Sequence, residues 1–215
     1  MSSIITPSHH SARISGLYAI TDSNLLTPEN TLDKVRLALQ GGARVVQFRD
    51  KVSPQNIKLE IAQELQQLCQ TYQACFIVND DIQLAQQVNA DGVHIGKDDD
   101  DIHKARQRLG SNKIIGVSCY NDLQRAKQMQ QLGADYVAFG RFFPSKTKPN
   151  AHQADIDTLL KAKLELTIPI VAIGGITQEN AQFLINAGAD SIAVIHGVFA
   201  NSDVKSASQQ LSQLF

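Results

Sequence analysis

The stretch Gln47-Phe48-Arg49-Asp50-Lys51 sets an amide, a guanidinium and an ammonium at alternate positions. At the end of a β-strand, where side chains alternate between faces, that spacing aims all three at one locus. Two cations beside an amide suit a polyphosphate and its neighbouring heterocycle, because phosphate oxygens accept charge-assisted hydrogen bonds. Two further apolar runs end in carboxylates, VNDD with Asp80 and GKDDD with Asp99. Mg²⁺ prefers oxygen ligands and often takes only one or two carboxylates plus waters and substrate phosphates, so Asp80 and Asp99 are the expected metal ligands, one from each cluster. The rest of Asp98–Asp101 suits the start of a helix, where carboxylates cap free N–H groups and meet the helix dipole favourably.

Other candidates sit at other run ends. Ser118 in GVSCYND offers a hydroxyl to a ligand or to the cap of the next helix, and the sequence leaves both open. The loop holding Ser145, Lys146, Thr147 and Lys148 is apt to close over phosphates, although an exposed connection bounded by prolines has the same composition. Gly174 and Gly175 permit close backbone approach to an anion. His196 follows the last run, where its backbone N–H matters more than its ring. His94, inside GVHIG, reads as a hydrogen-bonded structural imidazole.

What positions these residues is a repeating pattern. After Gly16 the chain holds eight short β-branched or aromatic runs: LYAIT, RVVQFR, CFIVN, GVHIG, KIIGVS, YVAFG, PIVAIGG and SIAVIHG. Amphipathic stretches alternate with them: Thr31–Gln40, Gln55–Tyr72, Ile82–Val88, Ile102–Leu109, Leu123–Leu132, Ile156–Leu164, Gln178–Ala187 and Val204–Leu214. Strand then helix, repeated, predicts a parallel sheet with crossover helices. An internal echo (GGARVVQF, NADGVHIG, GADYVAFG, GADSIAVI) puts a tight turn before several runs and favours a closed (β/α)8 TIM barrel over an open doubly wound sheet. In that fold the active site is assembled at the C-terminal ends of the strands, where all these candidates lie, and the loops after strands seven and eight frequently bind phosphate.

Bulk properties narrow the function class. A chain of 215 residues with 43% hydrophobic and 19% charged residues is suited to one α/β domain, expected over residues 14–215 behind a mobile tail of residues 1–13 that contains His9 and His10. With 20 basic and 21 acidic residues, the net charge of -1 gives no case for nucleic acid or membrane as partner and leaves small-molecule substrates. Cys69, Cys75 and Cys119 have no metal-site or redox spacing, and no signal-like run precedes them, so a cytoplasmic chain with free thiols is expected. A homo-oligomer is compatible with all of this.

Taken in order along the chain, QFRDK, VNDD, DGVHIGKDD, GVSCYN, FGRFFPSKTKP and IPIVAIGGI resemble the thiamine-phosphate synthases, also called thiamine-phosphate diphosphorylases. The resemblance implies a TIM barrel that joins 4-amino-5-hydroxymethyl-2-methylpyrimidine diphosphate to a thiazole phosphate, with Mg²⁺ as cofactor. It implies that Gln47, Arg49, Lys51 and Asn79 hold the pyrimidine diphosphate with Ser118 and Lys148, and that Asp80 and Asp99 hold the metal. Ser145 and Thr147, with Lys146 between them, would face the phosphate or carboxylate side of the thiazole, in its alcohol-phosphate or carboxylate form, and Gly175 with the Ile195–His196 backbone would cradle its phosphate. The chain departs from the commonest pattern at Lys97, Ser145 and His196; the serine keeps a hydroxyl and the histidine keeps its backbone N–H.

The chemistry implied is substitution at a CH₂ group with diphosphate leaving. Arg49, Lys51, Lys148 and Mg²⁺ would neutralise the charge that develops on it. An electron-rich aminopyrimidine stabilises a carbocation, so a dissociative path without a general base is expected. A thiazole tautomerase on the same barrel would need no metal and no diphosphate site, and a non-catalytic phosphate-binding sensor would bind both ligands without forming product.

Overall fold

The computed structural model describes residues 13–96, 100–144 and 153–215. Eight parallel strands, β1 (Gly16–Ile20), β2 (Val45–Phe48), β3 (Cys75–Asn79), β4 (Gly92–Ile95), β5 (Ile114–Tyr120), β6 (Tyr136–Phe139), β7 (Ile170–Ile173) and β8 (Ser191–Val194), pair in chain order, and β8 returns to β1 to close the barrel. At the seam Leu17 pairs with Ile192 and Tyr18 with Ala193, and the Ser191 hydroxyl donates to the Gly16 carbonyl at 2.8 Å.

The helices are α1 (Pro28–Gln40), α2 (Gln55–Thr71), α3 (Ile82–Gln87), α4 (Asp100–Leu109), α5 (Leu123–Gln131), α6 (Ile156–Glu165), α7 (Gln178–Asn186), α8 (His196–Phe199) and α9 (Val204–Ser212). Two differences from the sequence expectation have simple causes. Helix α1 begins three residues before the expected Thr31, because Pro28 at the first helical position needs no N–H partner and the Thr27 N–H is met by the Asn30 side chain at 3.0 Å. The four-residue α8 is too short to produce a helical period in the sequence.

Alternation along the strands divides the apolar residues between two regions. Residues such as Leu17, Phe76, Val93, Ile115, Val137 and Ile192 face the helices and form the larger core. Tyr18, Ile20, Val45, Ile77, Ile114, Tyr136 and Val171 fill the barrel interior. Tyr136 fits there because its partner on the neighbouring strand is a glycine: a Cβ on Gly116 would lie 1.9 Å from Cζ of Tyr136.

The sequence echo has a structural meaning at the N-terminal face. Helices α1, α2, α3, α5 and α7 end in the same hydrogen-bonded turn, with the N–H of Ala43, Ala74, Ala90, Ala134 or Ala189 reaching back to the carbonyl of Ala38, Cys69, Ala85, Met129 or Leu184. Each turn passes through a residue with positive φ, namely Gly42, Gln73, Asn89, Gly133 and Gly188. An aspartate then follows in three cases, and its carboxylate accepts an N–H from the first or second residue of the preceding strand: Asp91 from Phe76, Asp135 from Ile115 and Asp190 from Ile170, at 2.8, 2.9 and 2.9 Å. A cation closes each unit, Arg13 on Asp91, Arg106 on Asp135 and Lys163 on Asp190, at 2.6, 2.7 and 2.6 Å. Arg13 stands at the end of the expected tail; residues 1–12, with His9 and His10, lie outside the described residues.

Substituting Asp135→Ala should therefore leave a strand N–H and the Arg106 guanidinium short of an acceptor. The expected loss is about 2 kcal/mol, or roughly 4–8 °C in Tm, with kcat unchanged because the position is at the opposite end of the barrel from the strand C-termini. Calorimetry beside a turnover assay checks both halves of this statement.

Candidate active site

At the C-terminal mouth of the barrel lies a cavity of about 470 Å³. Gln47, Arg49, Asn79, Ser118, Gly175, Ile195 and His196 all line it, delivered by the ends of β2, β3, β5, β7 and β8 or the turns after them. Lys51 and Asp80 do not line that cavity; they meet each other at its rim. Asp99, Ser145, Lys146, Thr147 and Lys148 lie outside the described residues.

The β2 end illustrates how alternation works and where it stops. Gln47 points inward and is buried, with its Nε2 donating to the Tyr18 hydroxyl at 2.8 Å. Arg49 follows two residues later, and its Nη1 stands 3.8 Å from Asp22, a carboxylate only 1% exposed. The Asp22 carboxylate also accepts from the backbone and side chain of Asn24, and Thr21 brackets the Arg49 backbone through both its N–H and its carbonyl. Asp22 thus sets a buried negative charge beside the guanidinium. By Lys51 the strand has ended, and its ammonium reaches sideways to Asp80 Oδ2 at 2.7 Å instead of facing inward with the other two.

The two carboxylates of VNDD are separated by task. Asp81 is the N-cap of α3, accepting from the Leu84 N–H at 2.8 Å. Asp80 has a φ of 60°, a left-handed backbone that aspartate tolerates better than most residues, and its N–H is held by the His94 carbonyl. Its Oδ2 accepts from Lys51 and from Asn79 at 2.8 Å. Among the described residues no donor reaches Oδ1, which lies 3.9 Å from where a Cβ on Gly96 would stand, toward the end of β4. Among the described residues no group of three or more histidine, cysteine, aspartate or glutamate side chains could hold a metal ion, and Asp99 is not one of the described residues.

Ser118, left open between ligand and cap, faces the cavity, because the cap of α5 is Asp122, which accepts from the Arg125 N–H at 2.9 Å. Just beyond it the β5–β6 register shifts and Tyr120 takes a φ of 57°, a local irregularity of the kind that re-aims side chains beside active sites. His94 has the structural role expected for it: Nδ1 meets the Tyr136 hydroxyl and Nε2 meets Ser118 Oγ, both at 2.9 Å.

Across the barrel, Gly174 and Gly175 have φ of 103° and 66°, and a Cβ on Gly175 would come within 2.4 Å of the Pro144 carbonyl. These glycines share a wall of the cavity with Ile195, His196 and Gly197 at the start of α8. The opening N–H groups of a helix lack intrahelical acceptors, so this wall offers backbone donors to an anion. The lining also includes Arg141 and three tyrosines, Tyr18, Tyr120 and Tyr136, that no motif in the sequence marks as site residues. Arg141 sat in the quoted FGRFF but read as part of a loop, while Tyr18, Tyr120 and Tyr136 read as ordinary aromatics.

A family model described as thiamine monophosphate synthase matches residues 17–198. The chain belongs to the thiamine-phosphate synthase family. A thiamine-phosphate synthase of Nitrosococcus oceani is 50% identical over 205 residues, covering 95% of this chain and 94% of its own. One from Alcanivorax borkumensis is 50% identical over 206 residues, covering 94% and 95%. Among solved structures, thiamine phosphate pyrophosphorylase from Pyrococcus furiosus superposes with a TM-score of 0.86 at 37% identity, covering 95% of this chain and 96% of that one. No described helix is long and apolar enough to cross a membrane.

Burial raises the Tyr18 and Tyr136 hydroxyls well above their ordinary value of 10.0, and it pushes the Cys69 thiol from 9.0 up to about 12. The folded chain therefore keeps protons that the unfolded chain releases, so this contribution to stability is complete below about pH 9 and is lost as pH rises further. Each retained proton adds a slope approaching about 1.4 kcal/mol per pH unit. Urea unfolding from pH 8 to 11 should show the decline, with a shallower slope above pH 10 in Tyr18→Phe; equal slopes in the two proteins would contradict it.

Proposed function

We propose that the chain condenses 4-amino-5-hydroxymethyl-2-methylpyrimidine diphosphate with a thiazole phosphate, giving thiamine phosphate and diphosphate. The observation that carries this reading is the division of one cavity into two anion sites. Arg49, with Lys51 and Asp80 at the rim, lies at the β2–β3 side, while the glycine and helix backbone donors lie at the β7–β8 side. In the ring of eight, β3 and β7 are four strands apart and so face each other. A pyrimidine diphosphate at the first and a thiazole phosphate at the second would bring their rings together between the two walls.

The bond from the pyrimidine CH₂ to the diphosphate oxygen breaks, its electron pair leaves with diphosphate, and the thiazole nitrogen lone pair forms the new bond to CH₂. That nitrogen has no proton to lose, so no general base is needed. Arg49, Lys51 and Lys148 supply positive charge to the leaving group, and Gln47, Asn79 and Ser118 hold the pyrimidine. Fixing both rings in one small cavity limits competition from water for the cation.

Asp80 is suited to Mg²⁺: it is half exposed, its Oδ1 is available while Oδ2 is held, and one carboxylate with phosphate oxygens and a second ligand such as Asp99 meets the ion's needs. When bound, the ion would neutralise charge on the departing diphosphate. The free, buried thiols are consistent with a cytoplasmic location, and a homo-oligomer is compatible with the fold.

With both purified substrates, thiamine phosphate should form with Mg²⁺ and not with excess chelator. Asp80→Ala and Lys148→Ala should each lower kcat by about 10²-fold or more while circular dichroism stays unchanged. Product formation that ignores the chelator would remove the metal from this account, and full activity in Lys148→Ala would remove that lysine.

A further inference from the structure

A line of hydrogen bonds crosses the barrel beneath the cavity. Gln47 Nε2 donates to Tyr18 Oη at 2.8 Å, Tyr18 Oη meets Tyr136 Oη at 2.8 Å, Tyr136 Oη meets His94 Nδ1 at 2.9 Å, and His94 Nε2 meets Ser118 Oγ at 2.9 Å. The two tyrosines are 1% and 0% exposed, so no bulk water substitutes for a missing partner. Both ends of the line, Gln47 and Ser118, are residues of the proposed pyrimidine site.

Each hydroxyl has one proton to give, and this makes the line directional. Tyr18 receives a proton from Gln47, so its own goes to Tyr136. Tyr136 then gives its proton to His94 Nδ1. A neutral imidazole that accepts at Nδ1 carries its proton on Nε2 and donates it to Ser118. The serine, having accepted from inside, keeps its own proton for the cavity, and Gln47, having donated inward, keeps its carbonyl as the acceptor.

We propose that Tyr18, Tyr136 and His94 are positioning residues that fix Gln47 as a hydrogen-bond acceptor and Ser118 as a donor toward the substrate, and so select a heterocycle bearing an exocyclic amine. Reversing the line would flip the Gln47 amide, both hydroxyls and the imidazole tautomer together, so the two ends cannot change character independently. An amine donates to the Gln47 carbonyl. An oxo group at the same ring position would set acceptor against acceptor and leave a desolvated polar pair unsatisfied. The identity of the substrate rests on the reading given under Proposed function; the order of the protons does not.

Packing alone would not need this order. The Tyr136 ring stacks on His94 with centroids 5.5 Å apart and meets Tyr18 edge-on at 6.2 Å, contacts that phenylalanine would keep. Tyr18→Phe and Tyr136→Phe therefore separate the ring from the hydroxyl.

The test has a substrate-free arm and a kinetic arm. Nitrogen-15 NMR of His94 in the unliganded wild type should show the proton on Nε2 and a bare Nδ1, and Tyr136→Phe should abolish that preference. A wild-type His94 with its proton on Nδ1, or with both nitrogens protonated near neutral pH, overturns the proposal even if the enzyme is a synthase. In the second arm, the kcat/KM ratio for the 4-amino over the 4-oxo pyrimidine diphosphate should fall roughly 10–100-fold in Tyr18→Phe, with KM for the thiazole phosphate unchanged. A ratio within twofold of wild type in both phenylalanine variants overturns it as well. Absence of any product with the wild type would refute the synthase reading and leave the tautomer result to stand or fall by itself.

Discussion

When β8 pairs with β1 the last two sheet edges vanish, and eight strands must share an interior of fixed girth. Every second side chain then points at its counterparts across the ring, and every strand delivers its C-terminal end to the same mouth. The interior can hold the Tyr136 ring because Gly116 beside it on the neighbouring strand has no side chain, and Tyr18 lies within the same interior cluster. Their hydroxyls must be satisfied within the barrel, so the lower core and the floor of the cavity are one hydrogen-bonded system. Residues that read as packing and residues that read as chemistry are joined by the closure itself.

Chemistry and stability are arranged at opposite ends of the barrel. At the mouth the polypeptide adopts costly backbone conformations, with Asp80 and Tyr120 at positive φ and two successive glycines at the end of β7. At the base, alanines close helix turns and aspartates cap neighbouring strands, each paired with a cation. These inexpensive and repeated contacts hold the strands in register, which lets the mouth keep its strained residues in place.

Much of the fold was legible in the sequence because its signals are local and repeated. Apolar runs of strand length fixed the order of elements, and the GAD and NAD turns marked where helices end. Alternation puts Gln47 and Arg49 into one cavity, whereas Lys51, three residues beyond the last strand residue Phe48, turns aside to Asp80. Helix α8 left no trace since four residues cannot show a 3.6-residue period. Asp22 and Arg141 were overlooked because a single charged residue in a short turn has no spacing to reveal it. The tyrosines were hidden for the opposite reason: their spacing fits an apolar interior, and only the three-dimensional neighbours disclose what the hydroxyls do.

The base of the barrel has a practical meaning as well. Arg13 enters beside Asp91 at that end, and α9, which descends from the mouth, packs its last residues against the end of α1, with Ser212 close to Gly42. Both described ends of the chain thus emerge on the face remote from the cavity. A partner enzyme, a surface tether or a fluorescent label joined after α9 would face away from the opening, leaving substrates a free approach from solution.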